Sequence, residues 1–202
     1  MRARIIDAAA TTMYEQGVAA TSLDDVLRAA GSGKSQLYHY FVDKADLVHA
    51  VIERQLQLVL AAQPSLGQIN SWHSIDAWAA EIISGHCIPG GPFACPLGTM
   101  AAELKNDDSF RPSLHAAFRK WEAPLARGLK TMQDTGELVV AADPARLAAA
   151  VIAAMQGGML LARVHEDVTP LKDALEAAIA QLHRWRPEDS PTSKPRKART
   201  GS

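Results

Sequence analysis

The chain has 202 residues, 48% hydrophobic and 21% charged, which fits one globular domain or two small ones sharing a core and excludes disordered and fibrous classes. Its formal net charge of −1 gives no general attraction to nucleic acid. Cys87 and Cys95 are too few for a disulfide framework. Asp7 interrupts the N-terminus before a signal-peptide core can form and no run of about 18 apolar residues stands out, so a cytoplasmic protein away from membranes is expected.

Periodicity reads as helix almost throughout. Ile5, Ile6, Ala9, Ala10 and Met13 make one apolar stripe that stops at Gly17, giving a helix over roughly 2–16. Thr21-Ser22-Leu23-Asp24 reads as a capping box with Thr21 as N-cap, opening a short helix over about 22–29 that ends at Gly31. Another short helix follows at about 34–40. Asp43 caps a fourth that buries Leu47, Val51 and Leu58 and closes near 62, before Pro64 and Gly67. Longer helices are expected at roughly 73–87, 95–106, 110–134, 144–166 and 170–185. They are separated by Pro89-Gly90-Gly91-Pro92, Asp107-Asp108-Ser109, Thr135-Gly136-Glu137, Asp143-Pro144 and Thr169-Pro170. Leu138-Val139-Val140 is the one β-like stretch, so the expected class is all-α. The tail 187–202, rich in Pro, Ser, Lys and Arg, is expected to be disordered.

Two short helices joined by a glycine-bearing turn and preceded by a longer one have the layout of a helix-turn-helix. Leu37 and Phe41, four apart, can pack inward and leave Lys34, Ser35, Gln36, Tyr38 and His39 facing out. Gln can pair with adenine, Lys with guanine or phosphate, and hydroxyls with phosphate oxygens. Gly31-Ser32-Gly33-Lys34-Ser35 also imitates the end of a phosphate-binding loop. The first glycine of that pattern falls on Arg28, and the preceding segment is helical rather than a strand, which disfavours a nucleotide-dependent enzyme.

The run from Ile5 to Leu47 resembles the tetracycline-repressor family of transcription regulators: Ile-Ile-x-Ala-Ala, Met-Tyr-x-x-Gly, Thr-Ser-x-x-x-Val, Ala-Gly, Leu-Tyr-x-Tyr-Phe, then Lys before Asp-Leu. The resemblance implies a three-helix DNA-binding domain, a helical domain that binds a small ligand, and a homodimer formed by the last two long helices. It departs at Gly33, where the family commonly has a serine N-cap, and at Ser35, where glycine is frequent. Domains at 1–46 and 47–186 are expected, followed by the tail. The resemblance gives Thr21, Ser22, Tyr38 and Lys44 as phosphate contacts. Arg2 and Arg4 are placed either to reach the flanking groove as an arm or to fray as a terminus. Residues 1–54 carry six basic side chains against seven acidic ones, so binding has to come from placed charges.

In the second region Trp72, Trp78, Phe93, Met100, Leu104, Phe118 and Trp121 are candidates for lining a pocket, since pockets between bundle helices are apolar with few polar groups. Cys95 joins them because Gly91 to Gly98, followed by Ala101-Ala102-Glu103-Leu104, is similar to a Gly-Cys-x-x-Gly and Ala-x-Glu stretch of one subgroup, with Ala94 in place of the first glycine. His86, Cys87 and Cys95 lack the spacing of a metal site, and no catalytic motif is visible; no metal, cofactor or catalytic residue is expected. The dimer interface is expected from Leu147, Val151, Met155, Gly158 and Ala162 with Leu171, Leu175, Ile179, Leu182 and Trp185. The partners expected are thus double-stranded operator DNA, a small effector and a second copy. A helical ligand-binding dimer that no longer reads DNA is the alternative.

Overall fold

The computed structural model describes residues 1–87 and 94–187; the Pro89 to Pro92 break, Phe93 and almost all of the tail lie outside the described residues. The helices are α1 (Arg2–Gln16), α2 (Leu23–Ala30), α3 (Lys34–Tyr40), α4 (Lys44–Ala61), α5 (Trp72–His86), α6 (Pro96–Glu103), α7 (Arg111–Asp134), α8 (Pro144–His165) and α9 (Thr169–His183). Single 3₁₀ turns at Pro64–Gln68, Leu104–Asn106 and Asp108–Phe110 fill the connections. Among the described residues there is no strand. Leu138-Val139-Val140 is turn instead, because the Gln133 side-chain amide donates to the carbonyls of Val139, Val140 and Ala142 and folds the segment back on α7.

Helix α1 buries Ile5, Ala9 and Met13 against α2 and α4, and α4 in turn packs on α7, so one long helix joins the N-terminal three-helix unit to the larger body. Asp43 caps α4 by accepting from the Asp46 N–H. The box that starts α2 is displaced by one residue from the sequence expectation. Ser22 is the N-cap, its hydroxyl oxygen accepting from the Asp25 N–H while the Asp25 carboxylate accepts from the Ser22 N–H. Thr21, 1% exposed, donates its hydroxyl to the Gly17 carbonyl. One register step turns that side chain from the helix start into the core.

Helices α7, α8 and α9 form the far side of the body. The side chains expected at a dimer interface are consumed here: Val151, Met155, Gly158 and Ala162 of α8 and Leu171, Leu175, Ile179 and Leu182 of α9 are all buried within the single chain, and Leu147 and Trp185 are half-buried against the same core. Gly158 explains the closeness of the pair, since a Cβ there would stand 2.8 Å from the Leu171 Cα. An antiparallel pair needs an apolar stripe on each helix for the other, and this stripe serves that contact. A second apolar stripe on α8 remains exposed, with Leu160 at 64%, Leu161 at 50% and Val164 at 69%. By length and composition α8 is also long and apolar enough to cross a membrane; its buried side chains belong to the common core.

Candidate DNA-reading face and effector cavity

Seven residues are too few for a helix to stand by itself in water; α3 is held in place by Leu37 and Phe41, at most 1% exposed, packed into the core of the N-terminal unit. Truncating either would remove roughly 2–5 kcal/mol. Gly31, in the left-handed conformation at φ 55°, turns the chain from α2 into α3. Gly33 is the N-cap of α3 and offers no side-chain bond, leaving the first amides of α3 without a side-chain cap.

Lys34, Ser35, Gln36, Tyr38 and His39 all lie on the exposed side of α3, and Tyr38 is 58% exposed. The face is laced with short-range partners. Lys34 Nζ lies 3.1 Å from Asp24, Ser32 donates its hydroxyl to Gln36 Oε1 at 2.9 Å, and the His39 ring stands edge-on to Tyr40. Such exposed pairs contribute little to stability and can be exchanged for contacts to DNA. Ser22 is exposed beside Arg28 and Asp25, which pair at 2.9 Å. The Ser22 hydroxyl, its N–H and then Arg28 hold the Asp25 carboxyl below its ordinary value. Tyr40 and Val42, the latter 83% exposed, extend the face beyond the residues singled out from sequence.

Three basic residues have internal duties. Arg4 donates from Nε to the Ala30 carbonyl and from Nη2 to the Gly31 carbonyl, both at 2.8 Å. It thereby clasps the C-terminal end of α2 rather than reaching out as an arm. Arg2 lies over the Phe41 ring. Lys44 donates to the Val18 carbonyl at 2.7 Å. Sequence spacing cannot show these contacts, because each joins residues about 25 or more apart.

In the larger body a cavity of about 300 Å³ opens between the helices. Its apolar wall comes from Leu58 and Val59 of α4, Ile82 of α5, Pro96 at the start of α6, Trp121 of α7 and Met159 of α8, with Tyr14, Gln63, Glu81 and His86 as the polar groups. Glu81 accepts from the Ser65 hydroxyl, and His86 Nδ1 is 2.7 Å from the Ile82 carbonyl. Of the residues expected to line a pocket, Cys95 and Trp121 do. Trp121 is fully buried, and its indole N–H has no hydrogen-bond partner among the described residues. Cys95 is the N-cap of α6, its sulfur accepting from the Gly98 N–H at 3.4 Å; burial pushes its thiol pKa up.

The remaining candidates lie elsewhere. Trp78 is buried behind the cavity and donates to Gln63 Oε1, so it orients a wall residue. Met100 is buried core, while Leu104 and Phe118 line a separate groove beside α7. Trp72 donates to the Glu137 carbonyl and is covered by Arg186, closing the base of α9 instead. Aromatic residues at helical spacing serve a core as readily as a pocket, which is why spacing could not separate them. A second hollow of about 450 Å³ shares Ala94, Cys95 and Met159 with the cavity and runs out to Gln156, Gly157, Leu160 and Arg163 on the exposed side of α8. Among the described residues, no three His, Cys, Asp or Glu side chains gather as a metal site.

Two family models match the chain. Residues 5–51 match the model of bacterial regulatory proteins of the tetR family, and residues 71–178 match the tetracyclin repressor-like C-terminal domain. An uncharacterized HTH-type transcriptional regulator in the lacX 3' region of Lactococcus lactis is 30% identical over 182 residues, covering 84% of this chain and 86% of that protein. The transcriptional regulator AcuR of Cereibacter sphaeroides is 28% identical, covering 83% and 78%. The crystal structure of a regulatory protein TetR from Rhodobacter sphaeroides superposes with a TM-score of 0.71 at 25% identity, covering 89% of this chain and 96% of that one. The reduced form of NemR from E. coli, at 22% identity and a TM-score of 0.77 over 88% and 94%, shares the fold. A helix-turn-helix face on an all-helical body that encloses a cavity is thus the arrangement of a known family: the chain belongs to the tetR family of bacterial regulatory proteins and is a DNA-binding transcriptional regulator.

Proposed function

We propose that this regulator is a repressor, released from a pseudo-palindromic operator by a small, largely apolar effector, acting as a homodimer in the bacterial cytoplasm and without a catalytic step. The observation that carries the reading is the pairing of one exposed polar helix face with one apolar cavity in the same chain, joined by α4, which starts at the reader and lines the cavity with Leu58 and Val59. In this reading residues 1–46 read DNA, 47–186 sense and dimerise. Lys34, Ser35, Gln36, Tyr38 and His39 meet the major groove; Ser22 and Lys44 approach the phosphates. Thr21 supports them from within.

The second copy is assigned to the exposed stripe of α8, where Leu160, Leu161 and Val164 present apolar surface and Gly157 has open space around its Cβ position. A closed two-fold dimer is the commonest oligomer, and it would set two α3 helices about 34–36 Å apart, one turn of DNA. An effector switches such a protein only if it prefers the released state. Footprinting on the DNA upstream of the protein's own coding region tests the proposal. Two protected half-sites about one turn apart are expected; protection of a single half-site, or none above nonspecific competitor, would overturn it.

A further inference from the structure

The Ala-x-Glu of the sequence puts Glu103 at the last position of α6, and the reader's use of that carboxylate is not explained by the cavity. Glu103 Oε2 accepts from the Val18 N–H at 2.6 Å, across 85 residues of sequence. Val18 lies in the connector between α1 and α2, and its carbonyl on the other side accepts from Lys44. Gly17, at φ 91°, is both a conformation favoured by glycine and a close approach: a Cβ there would stand 3.1 Å from Glu103 Oε2. Thr21 binds the same connector through the Gly17 carbonyl. The connector that delivers α2 to the reader is therefore gripped from the sensing body by one carboxylate.

The opposite end of α6 belongs to the cavity, because Cys95 and Pro96 form part of its wall. Tyr14 of α1, another wall residue, has its hydroxyl 3.5 Å from the Ala94 carbonyl. An eight-residue helix is a rod of about 12 Å, so a shift imposed at its first turn reaches Glu103 with little loss. We propose that Glu103 is the positioning residue through which cavity occupancy acts on the DNA reader. Filling the cavity pushes the start of α6 outward, draws the carboxylate off the Val18 N–H, and leaves the connector and Lys44 free to leave the DNA-reading arrangement. This rests on the ligand-responsive reading above.

A double-mutant cycle tests it without an identified effector. Gly85→Phe fills the cavity from its wall, where nothing lies within 4 Å of the Cβ position, and Ala62→Phe fills it from another wall residue as a second variant. Binding to the DNA upstream of the coding region is titrated for each, alone and with Glu103→Ala, with circular dichroism to confirm helix content. In the native background filling is expected to weaken binding about tenfold, and in the Glu103→Ala background by less than about twofold, the scale expected when a charge-assisted hydrogen bond carries the coupling. Equal factors in both backgrounds, or no effect of either filling substitution, would overturn the assignment of Glu103 while leaving DNA regulation standing. Failure of the parent protein to bind that DNA would overturn both.

Discussion

Gly128 offers a sharp test of the packing that holds the sensing body together. It is buried in the middle of α7, and a Cβ there would stand 2.6 Å from both the Ile69 carbonyl oxygen and Ile69 Cγ2. Even a weak C–H···O contact needs about 3.3–3.6 Å, so α7 and the segment at Ile69 have to separate by more than half an ångström, and backbone cannot swing aside as a side-chain tip can. Gly85 of α5 is the control, because its Cβ position meets nothing within 4 Å. Both Gly→Ala substitutions gain up to about 1 kcal/mol of helix propensity, while only Gly128→Ala is overpacked, which typically takes away about 1–3 kcal/mol. The two variants should therefore differ by roughly 1–3 kcal/mol, or about 2–12 °C in thermal midpoint for a chain of this size, with Gly85→Ala the more stable. Differential scanning calorimetry of both variants measures the gap. Equal midpoints, or a Gly128→Ala midpoint above that of Gly85→Ala, would refute the close contact.

Three further outcomes follow from named contacts. Arg4→Ala removes two bonds to the end of α2 and should lower stability by about 1 kcal/mol and weaken operator binding, whereas unchanged urea midpoints and DNA affinity would return Arg4 to the role of a free arm. Asp25 has its pKa lowered from 3.8 in the folded protein, so its capping contribution is complete above that value and is lost as pH falls through the lower native pKa. Asp25→Asn should flatten this part of the acid limb in a series of thermal melts, and an unaltered limb would show that the Asp25 carboxylate does not stabilise the start of α2. Leu160→Asp with Val164→Asp places charge on the exposed stripe of α8 and should convert a dimer to a monomer in sedimentation; a double variant that stays dimeric would place the interface elsewhere.

The helices and most of their ends were legible because caps, glycines and prolines act locally. Asp43 caps α4 as its position suggests, and Gly31 turns into α3. The α2 cap missed by one residue because Thr21 and Ser22 are both good caps, with an acid three residues beyond each; burial of Thr21 decides between them. The outward set of α3 was readable from the inward pair Leu37 and Phe41. The inward stripe of α8 was not. Helix α8 carries two apolar stripes, and only the packing of α9 against Gly158 shows which one is already used. Likewise Trp121 and Trp72 look alike in sequence, yet one lines the cavity and the other closes the far end of α9.

The exposed residues of α3 are expected to read DNA while its buried residues hold the fold. Titration of the upstream DNA with Lys34→Ala plus Tyr38→Ala, against the parent protein in the presence of excess nonspecific DNA, tests it most directly. Loss of the specific complex is expected, with unchanged helix content and unchanged dimer mass, since both side chains are exposed. A double variant that binds the same DNA as tightly as the parent would contradict it.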